Sequence, residues 1–144
     1  MASTPSELIF FDAGIFIGAL LRGDDRYIEA RPLVEAARRG DIQACTSAGV
    51  LSEVYGALTW EQANPPHSPE EAEEAVRLLV EPPSRLQVLG GERSVALRAL
   101  KLAAAHNLTA RRIHDARHAA TALEAGVVAV YTYDVDDWKV FVED

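Results

Sequence analysis

Four acidic residues, Asp12, Glu53, Asp115 and Asp134, stand where the sequence ends a strand or begins a helix. They lie in Leu8-Ile9-Phe10-Phe11-Asp12, Ser47-Ala48-Gly49-Val50-Leu51-Ser52-Glu53-Val54, Ile113-His114-Asp115-Ala116 and Val130-Tyr131-Thr132-Tyr133-Asp134. A carboxylate directly after an apolar strand sits at the strand's carboxyl end, where open α/β sheets place their ligands. Four converging carboxylates repel one another. Two unit charges about 4 Å apart interact by roughly 4 kcal/mol at an effective dielectric of about 20. Protons or a cation must relieve such a cluster, and a hard divalent ion with oxygen ligands is the natural partner. An all-oxygen donor set suits Mg²⁺ or Mn²⁺.

Each acid also has a plain structural reading. Asp12 alone is a helix N-cap, Glu53 an exposed helical glutamate, and Asp115 a first-turn acid favoured by the helix dipole. Four of them at corresponding ends of one sheet argue for a site. Other chemistries lack their residues. No Ser/His/Asp set is suggested locally, no Cys/His spacing would hold zinc, and no glycine-rich loop ends in Lys-Ser or Lys-Thr. A phosphoacceptor signalling domain needs an acidic pair after the first strand and an Asp after the third, where this chain has Phe11-Asp12 and Leu89-Gly90. An Asp-x-Asp phosphatase fails because Gly14 occupies the second position. His114 and His118 straddle Asp115. Either suits a phosphate contact, and His118 equally suits a structural role. Trp60 and Trp138 read as packing residues.

The elements that must carry these residues alternate strand and helix. Residues 8–12 read as a strand and 13–21 as a helix, followed by a polar loop and a helix over 26–39 that contains Pro32. Cations at Arg38 and Arg39 suit that helix's end before Gly40. A strand follows at 42–46, and Ser47 is a good N-cap for a helix bearing Val50, Leu51, Val54 and Leu58 on one stripe. Ser68, Pro69 and Glu71 give three agreeing signals for a helix that reaches about Val80. The acidic run Glu70, Glu71, Glu73 and Glu74 reads as its solvated face. A third strand is expected at 85–89, a helix at 93–106, a loop at 109–112, and a helix at 113–125 closed by Gly126. Residues 127–132 form a continuous apolar run, expected to be a strand buried on both faces. A loop at 133–137 follows, and 138–142 carries no clear assignment. The order implies a three-layer α/β/α fold with a mainly parallel central sheet.

At 144 residues the chain is long enough for one domain with a single substantial core, expected to span 1–144. Its composition, 49% hydrophobic and 25% charged, is that of a globular protein. The apolar runs are too short to cross a bilayer. Met1–Glu7 lacks the basic start and apolar core of a signal peptide, so a cytoplasmic location is expected. The lone Cys45 excludes an internal disulfide and falls in a strand pattern as a small core residue. A net charge of −8 argues against holding nucleic acid by electrostatics alone. It leaves a metal-neutralised nuclease open, with basic residues grouped at Arg22 and Arg26, and at Arg111, Arg112 and Arg117.

The motifs together resemble the PIN-domain nucleases. They are the strand ending in Asp12, Ser-x-x-x-x-Ser-Glu-Val at 47–54, Asp-Ala-x-His-Ala-Ala-Thr-Ala-Leu at 115–123, and Tyr-Thr-x-Asp at 131–134. In size and element order the chain looks most like the VapC-type toxins of toxin–antitoxin pairs, from about Leu8 to Phe141. The resemblance implies a metal-dependent endoribonuclease that hydrolyses RNA to 3′-hydroxyl and 5′-phosphate ends. Asp12 and Asp115 would be the main Mg²⁺ or Mn²⁺ ligands, Glu53 would act through a bound water, and Asp134 would complete a second ion's site. Thr132 would hydrogen-bond a carboxylate or the attacking water. The implied partners are an RNA substrate, a small VapB-like antitoxin and a second copy of the chain. Two departures stand out. Ala13-Gly14 follows Asp12 where the family often has a hydroxyl, and backbone N–H groups could take its place. The last motif runs one residue long through Asp136-Asp137-Trp138, leaving open which of Asp136 and Asp137 takes an outer role. A non-catalytic domain of this type, kept for binding RNA or protein, is the alternative.

Overall fold

The computed structural model describes residues 7–144. Met1–Ser6, on which the signal-peptide reading mostly rests, lie outside the described residues. The chain runs β1 (Ile9–Phe11), α1 (Ala13–Leu20), α2 (Tyr27–Arg39), β2 (Ala44–Ser47), α3 (Ala48–Thr59), α4 (Pro69–Val80), β3 (Gln87–Leu89), α5 (Arg93–Ala105), a 3₁₀ turn (Ala110–Arg112), α6 (Ile113–Ala125), β4 (Ala129–Tyr131) and α7 (Val135–Lys139). The strands form one sheet in the order β3-β2-β1-β4. All pairings are parallel, with Ile9 opposite both Ala44 and Ala129 and Thr46 opposite Val88. Parallel strands need crossover connections, and the helices supply them. The result is the expected three-layer α/β/α fold.

Central β1 buries Phe10 and Phe11 completely, and Phe16 of α1 joins them. Each such ring contributes about 1.5–3 kcal/mol through removal from water. One core gathers α1, α2, α3 and α4 with the strands. A second lies under α5 and α6 and includes Phe141. Trp138 packs against both. Cys45 is fully buried in the first core, and burial pushes its thiol up to about 11.

The helix ends follow their sequence signals. Asp12 caps α1, accepting from the Ala13 N–H at 2.9 Å, and Ser47 caps α3 through the Val50 N–H at 3.1 Å. Ser68 and Glu71 form a capping box on α4. Gly40 (φ 87°) and Gly126 (φ 68°) close α2 and α6 in the left-handed region, where a residue without Cβ is least strained. Glu70, Glu71, Glu73 and Glu74 are exposed, as a solvated face should be.

Several expectations shift. α2 keeps its expected span and runs through Pro32, whereas β2, expected at 42–46, begins at Ala44 and reaches Ser47. The run at 127–132 yields only Ala129–Tyr131 as strand, and that strand is half-buried. The reason is its place: β4 is an edge strand, paired to β1 alone. α7 takes three of the five residues of the expected loop and the first two of the unassigned stretch. Trp60 is 57% exposed, so it is no core residue. Among the described residues no helix is long and apolar enough to cross a membrane.

Candidate active site

Asp12 is the best-held of the four acids. It follows β1, is 6% exposed, and continues the sheet by donating its N–H to the Tyr131 carbonyl at 3.0 Å. Its Oδ1 accepts from Ala13. Its Oδ2 accepts from the Thr132 hydroxyl at 2.7 Å and from the Trp138 indole Nε1 at 3.0 Å. Thr132 Oγ1 in turn accepts from the Asp134 N–H at 2.9 Å, which ties the loop after β4 to the end of β1. The hydroxyl lacking at residue 13 is thus supplied from across the sheet, alongside the Ala13 N–H. A side chain at Gly14 would have little room, since a Cβ there would lie 3.0 Å from Arg26 Nη1 and 3.5 Å from the Tyr133 ring.

Glu53 lies in the second turn of α3, its side chain 45% exposed. Its Oε1 meets His118 Nε2 at 2.7 Å. A carboxylate only accepts, so Nε2 carries the proton. His118 is 5% exposed, and its Nδ1 has no hydrogen-bond partner. Asp115, in the first turn of α6, faces Arg112 at 3.4 Å. Burial, then the charge of Asp137, raise its carboxyl above the usual range, against the pull of Arg112. Asp134 is raised as well, by burial first and then by the charges of Asp12 and Asp137.

These side chains face one small cavity of about 50 Å³, lined by Asp12, Glu53, Asp115 and Asp134 with His118, Asp137, Trp138 and Phe141. Every acid singled out by the sequence is there, and Thr132 touches it through Asp12. Asp137 joins the wall. Asp136, 96% exposed and 3.4 Å from Lys139, does not. Trp138, read as packing, packs against Phe10 and Phe141 and also donates to Asp12. Nothing in its local sequence marks that role.

Among the described residues no three His, Cys, Asp or Glu side chains already converge into a metal cage. The hydrogen bonds explain this: Glu53 is drawn to His118, Asp115 to Arg112, and Asp12 to Thr132 and Trp138. The donor chemistry nevertheless fits a hard divalent cation, with carboxylate oxygens from several segments and two carboxyls raised first by burial and then by neighbouring negative charge. Arg112 and Arg26 offset that charge only in part, since both carboxyls stay raised. Arg26 is held by Asp24 at 2.8 Å and lies over the Tyr133 ring at 5.3 Å. Arg38 and Arg39 pair with Glu35 and Asp41 around the end of α2.

A family model for the PIN domain matches residues 9–141. No curated protein matches the chain in sequence. Among solved structures, the Mycobacterium tuberculosis toxin VapC20, described as cleaving the sarcin–ricin loop, is similar with a TM-score of 0.72 at 21% identity, covering 91% of this chain and 93% of that one. A VapBC-1 structure from nontypeable Haemophilus influenzae is similar at 0.63 and 20% identity, covering 94% and 93%. A toxin–antitoxin complex from Klebsiella pneumoniae is similar at 0.59 and 22%, covering 90% and 89%. At these identities the likeness is one of fold.

Proposed function

This chain belongs to the PIN-domain family, and from that premise we propose that it is a divalent-metal-dependent endoribonuclease acting as the VapC-type toxin of a toxin–antitoxin pair. The observation that carries this reading is the meeting of Asp12, Glu53, Asp115 and Asp134, from four separate segments, at one cavity beside the carboxyl ends of β1 and β4. Asp12 and Asp115 would hold Mg²⁺ or Mn²⁺, with Glu53 and Asp134 completing the set and Asp137 beside them. A bound ion of this kind polarises a phosphoryl oxygen and lowers the pKa of a ligated water. The chain's own groups orient the donors. Thr132, Trp138 and the Ala13 N–H hold Asp12, and His118 holds Glu53. Phe141 and Trp138 wall the cavity on its apolar side.

The partner is proposed to be a small antitoxin, as in the toxin–antitoxin complexes to which the fold is similar. A groove of about 610 Å³ near the end of α1 supports that choice, with Ile17, Leu21, Ala57 and the exposed Trp60 as its apolar wall and Asp24, Asp25 and Arg26 along it. An amphipathic helix fits such a surface. The toxin itself is proposed to dimerise and to work in the cytoplasm.

The test is cleavage of total RNA with Mg²⁺ or Mn²⁺, stopped by EDTA and lost in Asp12→Asn and Asp115→Asn, with 5′-phosphate ends on the products. Cyclic phosphate ends would overturn the mechanism. Growth arrest on expression, absent for Asp115→Asn, tests the toxin role. An active nuclease that is harmless and copurifies with no small partner would remove that role and leave the nuclease.

A further inference from the structure

The acidic cavity does not end at its own walls. It shares Glu53 and His118 with a second cavity of about 330 Å³, which adds Ala48, Gly49, His114 and Arg117. That one shares His114 and Arg117 with a third, of about 420 Å³, walled by Val95, Ala96, Ala99, Leu100 and Ile113. The three form a path from the carboxylates, over the start of α3, to an apolar recess between α5 and α6.

Charge along the path changes in step. Arg26 and Arg112 are tied to Asp24 and Asp115. The Arg117 guanidinium, by contrast, has neither an ion pair nor a hydrogen bond among the described residues. It lies against Gly49, where an added Cβ would stand 3.4 Å from its Cζ. A free guanidinium on a protein of net charge −8 is matched to an anion with paired oxygens, above all a phosphate. The first N–H groups of α3, at Ala48 and Gly49, add the positive end of a helix at the same place, because Ser47 takes only the Val50 N–H. Beyond Arg117 the walls turn apolar. Val95 and Ala99 are buried and Leu100 is 61% exposed. Glu92 at the rim repels a phosphate but accepts from an exocyclic amino group. A base suits this recess, and a backbone does not.

We propose that an RNA strand leaving the acidic cavity lays its next phosphate on Arg117 and seats one base in the recess between α5 and α6. The proposal rests on the ribonuclease reading above and names the substrate contacts on one side of the cut. A second copy of the chain on the exposed face of α5, which carries Leu97 and Leu100, is the competing occupant.

The test uses a short single-stranded RNA of mixed sequence that the full-length protein cuts with Mn²⁺, and a series carrying one abasic nucleotide at each position in turn. Arg117→Gln raises KM roughly tenfold, the size of a lost bond to a charged group, with the loss on KM rather than kcat. It also reduces the salt dependence of log KM by about 0.7, the contribution of one single-strand phosphate contact. One abasic position beside the cut raises the wild-type KM roughly tenfold. In Ala96→Glu that difference between abasic and intact RNA disappears. Both residues are exposed, so melting curves should show both variants folded. An unchanged KM and salt slope in Arg117→Gln, or an abasic penalty that survives Ala96→Glu, overturns the track. So does Ala96→Glu altering oligomeric state while KM stays fixed. A wild type that cuts no RNA removes the ribonuclease reading and the track with it. A wild type that cuts while Arg117→Gln behaves identically removes the track alone.

Discussion

Trp138 and Asp12, separated by 126 positions, meet through a 3.0 Å hydrogen bond from the indole Nε1 to Oδ2. The ring also packs on Phe10, at 5.8 Å between centroids, and on Phe141, at 6.4 Å. One side chain therefore joins the two cores and fixes an acid. Trp138→Phe keeps much of the packing and deletes the donor. A hydrogen bond to a charged group is worth about 1.5–3 kcal/mol, so kcat/KM for RNA cleavage should fall roughly tenfold or more. The melting temperature should move only a few degrees. Unchanged cleavage with lowered stability would return Trp138 to a packing role.

The raised carboxyl of Asp134 has a definite sign for stability. Its folded pKa lies above the ordinary 3.8, so the fold favours the neutral acid. The stabilisation is complete below the unfolded value and is lost as pH rises through the folded one. At neutral pH without divalent metal, Asp134 therefore works against folding, and Asp134→Asn should raise the melting temperature. Adding Mg²⁺ or Mn²⁺ should stabilise the wild type by about 2.7 kcal/mol at a hundredfold excess over Kd. Asp12→Asn and Asp115→Asn should lose that response. A wild-type melting curve indifferent to millimolar divalent ions would sink the metal centre.

His118 should matter through Glu53. His118→Ala frees the Glu53 carboxylate and should lower kcat/KM roughly tenfold, since one hydrogen bond to a charged group is lost. His118→Gln keeps a donor and should recover part of that loss. Equal activity of the two variants would assign His118 to packing alone.

Cys45 offers a probe of the fold. With its thiol buried and pushed up to about 11, little thiolate exists at pH 8. Alkylation followed by mass spectrometry should find Cys45 unmodified in the native protein and fully modified in denaturant. Rapid native labelling would mean that the first core opens readily.

The acids were legible in the sequence because a carboxylate at a strand end or in a helix's first turns has a fixed address once the sheet is parallel. Asp12, Glu53, Asp115 and Asp134 needed only that rule to be placed at one cavity. Caps at Ser47, Ser68, Gly40 and Gly126 were legible for the same local reason. What stayed hidden depends on distant partners. No neighbour of Trp138 announces that its indole reaches Asp12. Choosing Asp137 over Asp136 required α7, whose turn aims one inward and leaves the other to Lys139. The half-burial of β4 follows from its edge position, and an apolar run does not report strand order.

The holders of Asp12 bear on how the chain is made. Thr132 is translated 120 residues after Asp12, and Trp138 after Thr132. At about 5–20 residues per second, synthesis leaves Asp12 without its indole partner for roughly 6–25 seconds. For most of that interval β1 also lacks β4, the strand that closes one side of it. A nascent chain still attached to the ribosome thus carries Asp12, Glu53 and then Asp115 on a sheet whose final edge is not yet built. Asp134, Asp137, Trp138 and Phe141 are the last walls to be made, so a chain halted before residue 134 holds its earlier acids without a cavity to gather them.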